Sequence, residues 1–200
     1  MKTLLLERMP GRFLILEEAS QKTGGLLKVS CSHMSVADER NANGRVYPKA
    51  IWEREIGKLQ ESIGENRNIG SLDHPGDGLS RGADAAIRWS KIWMDGNVTK
   101  GEGYVLKTQK GLDLEALIRG GVTVDISSRA WGTLLKQKWK GQLAEIATED
   151  LSIVTFDAVL GGSVSGAHLK AINEQRRMRA GEEARLTGDQ IRQRELAGIS

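Results

Sequence analysis

Cysteine is almost absent: Cys31 stands alone in 200 residues. No internal disulfide can form, and a reducing compartment is the expected setting. Histidine is nearly as scarce, with three residues, His33, His74 and His168. Histidine chemistry can therefore be enumerated residue by residue. Long hydrophobic runs are missing too. The leucine-rich N-terminus, MKTLLLERMPGRFLILEE, is interrupted by Glu7, Arg8 and Arg12. It fits neither a secretory signal nor a membrane span. Neither sign of charge dominates; a net charge of +3 is too small to argue for nucleic acid. HExxH and CxxC spacings are absent, so a metal hydrolase built on His33, Asp73 and His74 has no ligand pattern behind it. Gly161-Gly162-Ser163 lacks the lysine and the spacing of a phosphate loop. No metal or other cofactor is expected, and no internal repeat is visible.

What is present suits a globular body. Hydrophobic residues make up 39%, and a chain of this length can bury a sizeable core. Residues 1–25 read as a leader, either a short strand or a docking arm. Residues 26–162 form the body, and 163–200 a helical tail without aromatics. Leu27, Val29 and Cys31 alternate with polar residues in a strand over 26–37. Tyr47-Pro48 opens a helix, because proline suits the first helical turn. Its stripe is Ile51, Trp52, Ile56, Leu59 and Ile63. A glycine-rich loop spans 68–82. Residues 83–94 and 97–107 read as a hairpin around Asp95-Gly96, and a short helix covers 112–119. Strands are expected over 122–128, 131–138, 142–147 and 151–156. The fold class is α+β with a mainly antiparallel sheet or barrel.

The chemistry concentrates in GVTVDISSRAWG, Gly121 to Gly132. A serine nucleophile needs a base within hydrogen-bond reach and a third group to orient that base. Strand alternation puts Val122, Val124 and Ile126 on one face and Thr123, Asp125, Ser127 and Arg129 on the other. That favours Ser127; a bulge would exchange the faces and bring Ser128 forward. Taken alone, the two residues read more readily as surface serines of an edge strand. His74 lies between Asp73 and Pro75, and the proline biases it toward extended backbone. Asp73 cannot easily orient its own neighbour, so the third group must come from elsewhere. Cys31 reads as a buried thiol rather than a nucleophile. The five tryptophans read as packing residues.

Four ordered segments carry a resemblance. Asn41-Ala42-Asn43-Gly44-Arg45-Val46-Tyr47-Pro48 precedes the helix. Gly70-Ser71-Leu72-Asp73-His74-Pro75 holds the histidine. Lys110 to Gly120 forms a helix after the hairpin, and Ile126-Ser127-Ser128-Arg129-Ala130 holds the serines. In this order, over roughly residues 41–156, they resemble the prohead (procapsid) maturation proteases of large tailed bacteriophages. That resemblance implies a β-barrel-like core wrapped by helices, distantly similar to herpesvirus assemblin. It implies a serine endopeptidase that processes scaffold (core) proteins, the major capsid protein and itself. The work would take place in the bacterial host cytoplasm, inside the assembling prohead. Neither nucleic acid nor membrane is an expected partner, and a homo-oligomer is expected.

On this resemblance His74 is the base and Ser127 the nucleophile, with Ser128 as the alternative. The aspartate expected in the last strand falls at Ser152. Asp150, two residues earlier, is the favoured substitute, with Glu149 and Asp157 behind it. Arg129 is assigned to the oxyanion or to an acidic substrate side chain, or else to an ion pair with Asp125 or Asp150. Similar proteases cleave after glutamate in an apolar-x-Glu context. Leu16-Glu17-Glu18 and Ile172-Asn173-Glu174 then mark self-cleavage sites at Glu18 and Glu174, which would remove both ends. His168 could imitate assemblin's second histidine, but it lies in the expected tail, past Gly166. Ser71 departs from the family's glutamate, Ala130 from its glycine, and Ser152 from its aspartate. These departures keep a rival open: a catalytically inactive capsid-assembly protein.

Overall fold

The computed structural model describes residues 2–9 and 13–160. His168, Glu174 and the expected tail over 163–200 lie outside the described residues. Among the described residues, period-two burial builds eleven strands, nearly all of them paired antiparallel. One sheet has the order β2 (Phe13–Glu17), β3 (Leu27–Val36), β7 (Val98–Val105), β6 (Ala85–Asp95) and β5 (Ile69–Ser71). In β3 the residues Leu27, Val29 and Cys31 point into the core, following the alternation of the sequence. A second sheet is β4 (Arg45–Val46), β10 (Gln142–Ala147) and β9 (Leu134–Trp139). The third is β1 (Thr3–Met9), β8 (Val124–Gly132) and β11 (Ser152–Leu160), with β8 in the middle. A parallel bridge between Leu72 and Ala158 joins the end of β5 to β11.

Two helices pack on these strands. Helix α1 (Lys49–Gly64) buries Ile51, Trp52, Ile56, Leu59 and Ile63 against β6 and β11. Pro48 offers its first turn no side-chain cap, and Asp38 supplies one from a distance: its Oδ1 accepts the Lys49 N–H at 2.9 Å. Helix α2 (Gln109–Arg119) starts three residues before the expected Leu112. The reason is Thr108, whose hydroxyl oxygen accepts the Gly111 N–H at 3.1 Å as an N-cap.

Three stretches hold more strand than the sequence reading gives them. The leader, read as a short strand or a docking arm, forms two strands, β1 paired with β8 and β2 with β3, and β1 places Leu5 in the core. The loop over 68–82 contains β5. Finally, β11 continues past Phe156 to Leu160, because Ala158 and Val159 extend the buried pattern beyond Asp157.

Candidate active site

Sheet register places the serine. Ser127 on β8 stands directly opposite Asp157 on β11, so their side chains share a face of the sheet. A bulge in β11 between Ile153 and Thr155 sets Arg129 opposite Thr155, one pair along on that same face. Ser128 points the other way, opposite Phe156 and Glu7.

The histidine is brought in by β5. At Gly70 the backbone approaches β11 so closely that an added Cβ would lie 2.2 Å from the Phe156 carbonyl oxygen. Only glycine allows that approach. Two residues on, Leu72 bridges to Ala158, and the Asp73 N–H donates to the Ala158 carbonyl at 2.8 Å. Asp73 takes a left-handed φ of 63°, which turns the chain and presents His74 beside Asp157.

The three side chains form a line. Ser127 Oγ lies 2.7 Å from His74 Nε2, and His74 Nδ1 lies 2.7 Å from Asp157 Oδ2. An ionised carboxylate only accepts, so Nδ1 carries the proton toward Asp157 and Nε2 is left to accept from the Ser127 hydroxyl. Asp157 is fully buried and well partnered. Besides His74 it accepts from Arg129 Nε at 2.9 Å, Arg129 Nη2 at 3.1 Å and the Ser71 N–H at 2.8 Å. A buried carboxylate is tolerable only when paired and hydrogen-bonded in this way.

Two expectations need correcting. Asp150 is not the acid beside His74. It precedes β11 and accepts from the Thr133 N–H at 2.9 Å, the Thr133 hydroxyl at 2.8 Å and the Thr148 hydroxyl at 2.7 Å. These bonds hold its carboxyl down at about 2. Ser152 faces solvent opposite Trp131, five residues from the position that matters. The carboxylate beside His74 is that of Asp157, one of the two weaker alternatives in the sequence. Its signal was a lone aspartate inside an apolar strand, where a buried charge requires a partner.

Arg129 is likewise not an open anion receptor. Its exposure is 0%, and it pairs with Asp157 rather than Asp125 or Asp150. Its Nη1 donates to the Gly78 carbonyl at 2.8 Å and its Nη2 to Ser80 Oγ at 3.2 Å. It therefore fastens the histidine loop over β8 while supporting Asp157. Asp125 bonds Arg8 instead.

Ser71 contributes its backbone N–H, so the departure from glutamate removes nothing from this line of contacts. Cys31 is buried, and desolvation pushes its thiol up despite a contact to the His33 carbonyl. Among the described residues no group of three or more His, Cys, Asp and Glu side chains is placed to hold a metal. None of the described helices is long and apolar enough to cross a membrane.

A buried acid, an oriented imidazole and a serine hydroxyl in sequence define a serine hydrolase. The prohead core protein serine protease family matches residues 17–177, most of the chain, and the protein belongs to that family. It is a serine protease. A solved structure, that of the bacteriophage T4 capsid assembly protease, gp21, is similar in fold, with a TM-score of 0.69 and 27% identity. The match covers 80% of this chain and 99% of that one. A search of curated proteins gave no match.

Proposed function

We propose that Ser127, His74 and Asp157 are the nucleophile, general base and orienting acid of a prohead maturation protease. The observation that carries this is the unbroken line of two 2.7 Å contacts from Ser127 Oγ through the imidazole to a buried aspartate. In the reaction His74 Nε2 takes the Ser127 proton as Oγ bonds to the scissile carbonyl carbon. The tetrahedral species collapses, the C–N bond breaks, and His74 returns the proton to the leaving amine. Water then repeats the sequence on the acyl-enzyme. Asp157 holds the tautomer and balances the imidazolium; Arg129 and the Ser71 N–H keep Asp157 in place.

The substrates in this reading are scaffold and capsid proteins inside the assembling shell, cut after glutamate. The enzyme acts there as a homo-oligomer in the bacterial host. Self-cleavage at Glu18 is part of the proposal. Glu18 follows β2 on the surface, its carboxylate held low by a hydrogen bond from Arg119. The chain beyond it is a largely exposed turn, the kind of segment proteases reach. Glu174 is proposed on its sequence context alone.

The test is intact-mass spectrometry with a fluorophosphonate probe on wild type, Ser127→Ala, Ser128→Ala and Asp157→Asn. Wild type and Ser128→Ala should take one probe and trim after glutamate. Ser127→Ala should do neither. Asp157→Asn should label roughly 10⁴-fold more slowly, because the imidazole loses its orienting carboxylate. Probe on Ser128, or unimpaired labelling of Asp157→Asn, would overturn the assignment.

A further inference from the structure

The segment Asn41–Tyr47 takes no part in the contacts around Ser127, yet its side chains converge on one carboxylate. Glu7 Oε2 accepts from Asn41 Nδ2 at 2.6 Å and Asn43 Nδ2 at 2.7 Å. Glu7 Oε1 accepts from Arg45 Nη1 at 2.6 Å and the Tyr47 hydroxyl at 2.7 Å. Glu7 and Tyr47 are buried. The receptor is shaped by its own loop: Asn41 Oδ1 accepts the N–H groups of Asn43 and Arg45, each at 3.0 Å. Gly44 makes the turn with a φ of 78°. A carboxylate and a guanidinium withdrawn from water each need the other, so loop and glutamate are complementary.

Glu7 belongs to β1, which lies along β8 with Glu7 opposite Ser128 and Arg8 opposite Ser127. Arg8 bonds Asp125 at 2.5 Å, tying β1 to the face that carries Ser127. Glu7 ties the other face to the loop that enters α1. Since β11 takes one edge of β8, β1 is what holds the other. After β2 the chain turns back into β3 through a segment in which Gln21 and Lys22 are exposed. Cutting that turn breaks none of the contacts just described.

We infer that the N-terminal segment through Glu18 is a glutamate-keyed strand insert. It stays seated without a covalent link once the turn is cut, and it positions Ser127 by fixing the outer edge of β8. A cut after Glu18 would thus yield a two-chain enzyme rather than shed an arm. Glu7 and Arg45 are positioning residues in this scheme. Retention stands independently of the functional reading; the positioning claim rests on Ser127 as nucleophile.

The experiment inserts a recognition sequence for a specific protease between Gln21 and Lys22 of the full chain, followed by cutting and size-exclusion chromatography. The N-terminal fragment should co-elute with the body, and the nicked protein should label with fluorophosphonate at nearly the uncut rate. With Glu7→Gln, which puts an amide where four donors converge, the fragment should bind roughly tenfold more weakly. Uncut Glu7→Gln, with a native circular-dichroism spectrum below its melting midpoint, should label roughly tenfold more slowly. Loss of the fragment from nicked wild type would overturn retention. Labelling of folded Glu7→Gln at the wild-type rate would overturn positioning. If uncut wild type fails to label at all, the functional reading fails and positioning with it, while co-elution still decides retention.

Discussion

Arg129 and Asp157 depend on one another more than on anything else in the site. Both are fully buried, and two guanidinium nitrogens meet the two carboxylate oxygens at 2.9 and 3.1 Å. Removing one partner leaves a charge in the core without its counter-ion. Arg129→Met should therefore cost about 3–5 kcal/mol of folding stability in urea denaturation. Arg129→Lys should recover little, because an ammonium cannot reproduce the planar fork that also reaches Gly78 and Ser80. A loss under about 1 kcal/mol for the methionine variant would mean that the pair contributes no more than a surface bridge. Asp150 gives the contrasting case. Bonds from Thr148 and Thr133 lower its carboxyl from 3.8 to about 2. Because the folded value is depressed, its contribution is complete above the unfolded value and disappears as pH falls through the folded one. The melting difference between wild type and Asp150→Asn should persist at pH 7, shrink below about pH 4 and vanish only below about pH 2. Peptidase activity of Asp150→Asn should match wild type, since the residue does not touch His74.

At the scale of elements, the decisive contact is the approach of β5 to β11. Gly70→Ala would put a methyl against the Phe156 carbonyl, at 2.2 Å without relaxation, and β5 would have to move. His74 lies three residues past the end of β5, so its imidazole would leave Ser127. The variant should lose about 1–3 kcal/mol of stability and nearly all probe labelling. Gly76→Ala, in the same loop with nothing within 4 Å of its added Cβ, should change neither. Equal labelling by both variants would detach the position of the histidine from this contact. The same elements show what the sequence could and could not reveal. Helix α1 and strand β3 were legible because the periods of Ile51, Trp52, Ile56 and Leu59, and of Leu27, Val29 and Cys31, are local properties. Ser127 and His74 were legible because each lies in a short, unusual motif. Asp157 was not, because the partner of a strand residue depends on register, and register depends on pairing and on the bulge at Ile153–Thr155. Arg129 was misread for the same reason. β1 was hidden because Glu7 interrupts its apolar pattern, and the donors that make Glu7 tolerable lie more than thirty residues away, the nearest being Asn41.

Across the whole molecule, the site draws on both ends of the described chain. The strand that carries Ser127 is held between β1, which begins at Thr3, and β11, which ends at Leu160. The N-terminal segment completes the sheet that carries Ser127, and β11 closes that sheet on the other side of β8. The T4 structure is matched over 99% of its length by 80% of this chain. A chain ending at Gly162 should thus fold in one cooperative transition and label with fluorophosphonate at the full-length rate. A chain beginning at Leu26 should do neither, because it lacks the partner of β8 and leaves Arg45 and Tyr47 without the carboxylate they bind. Thermal melts and probe kinetics on the two truncations would decide it. Slow labelling of the chain ending at Gly162 would mean that residues 163–200 contribute to the working enzyme. Normal labelling of the chain beginning at Leu26 would mean that β8 keeps its geometry with an open edge and does not need β1.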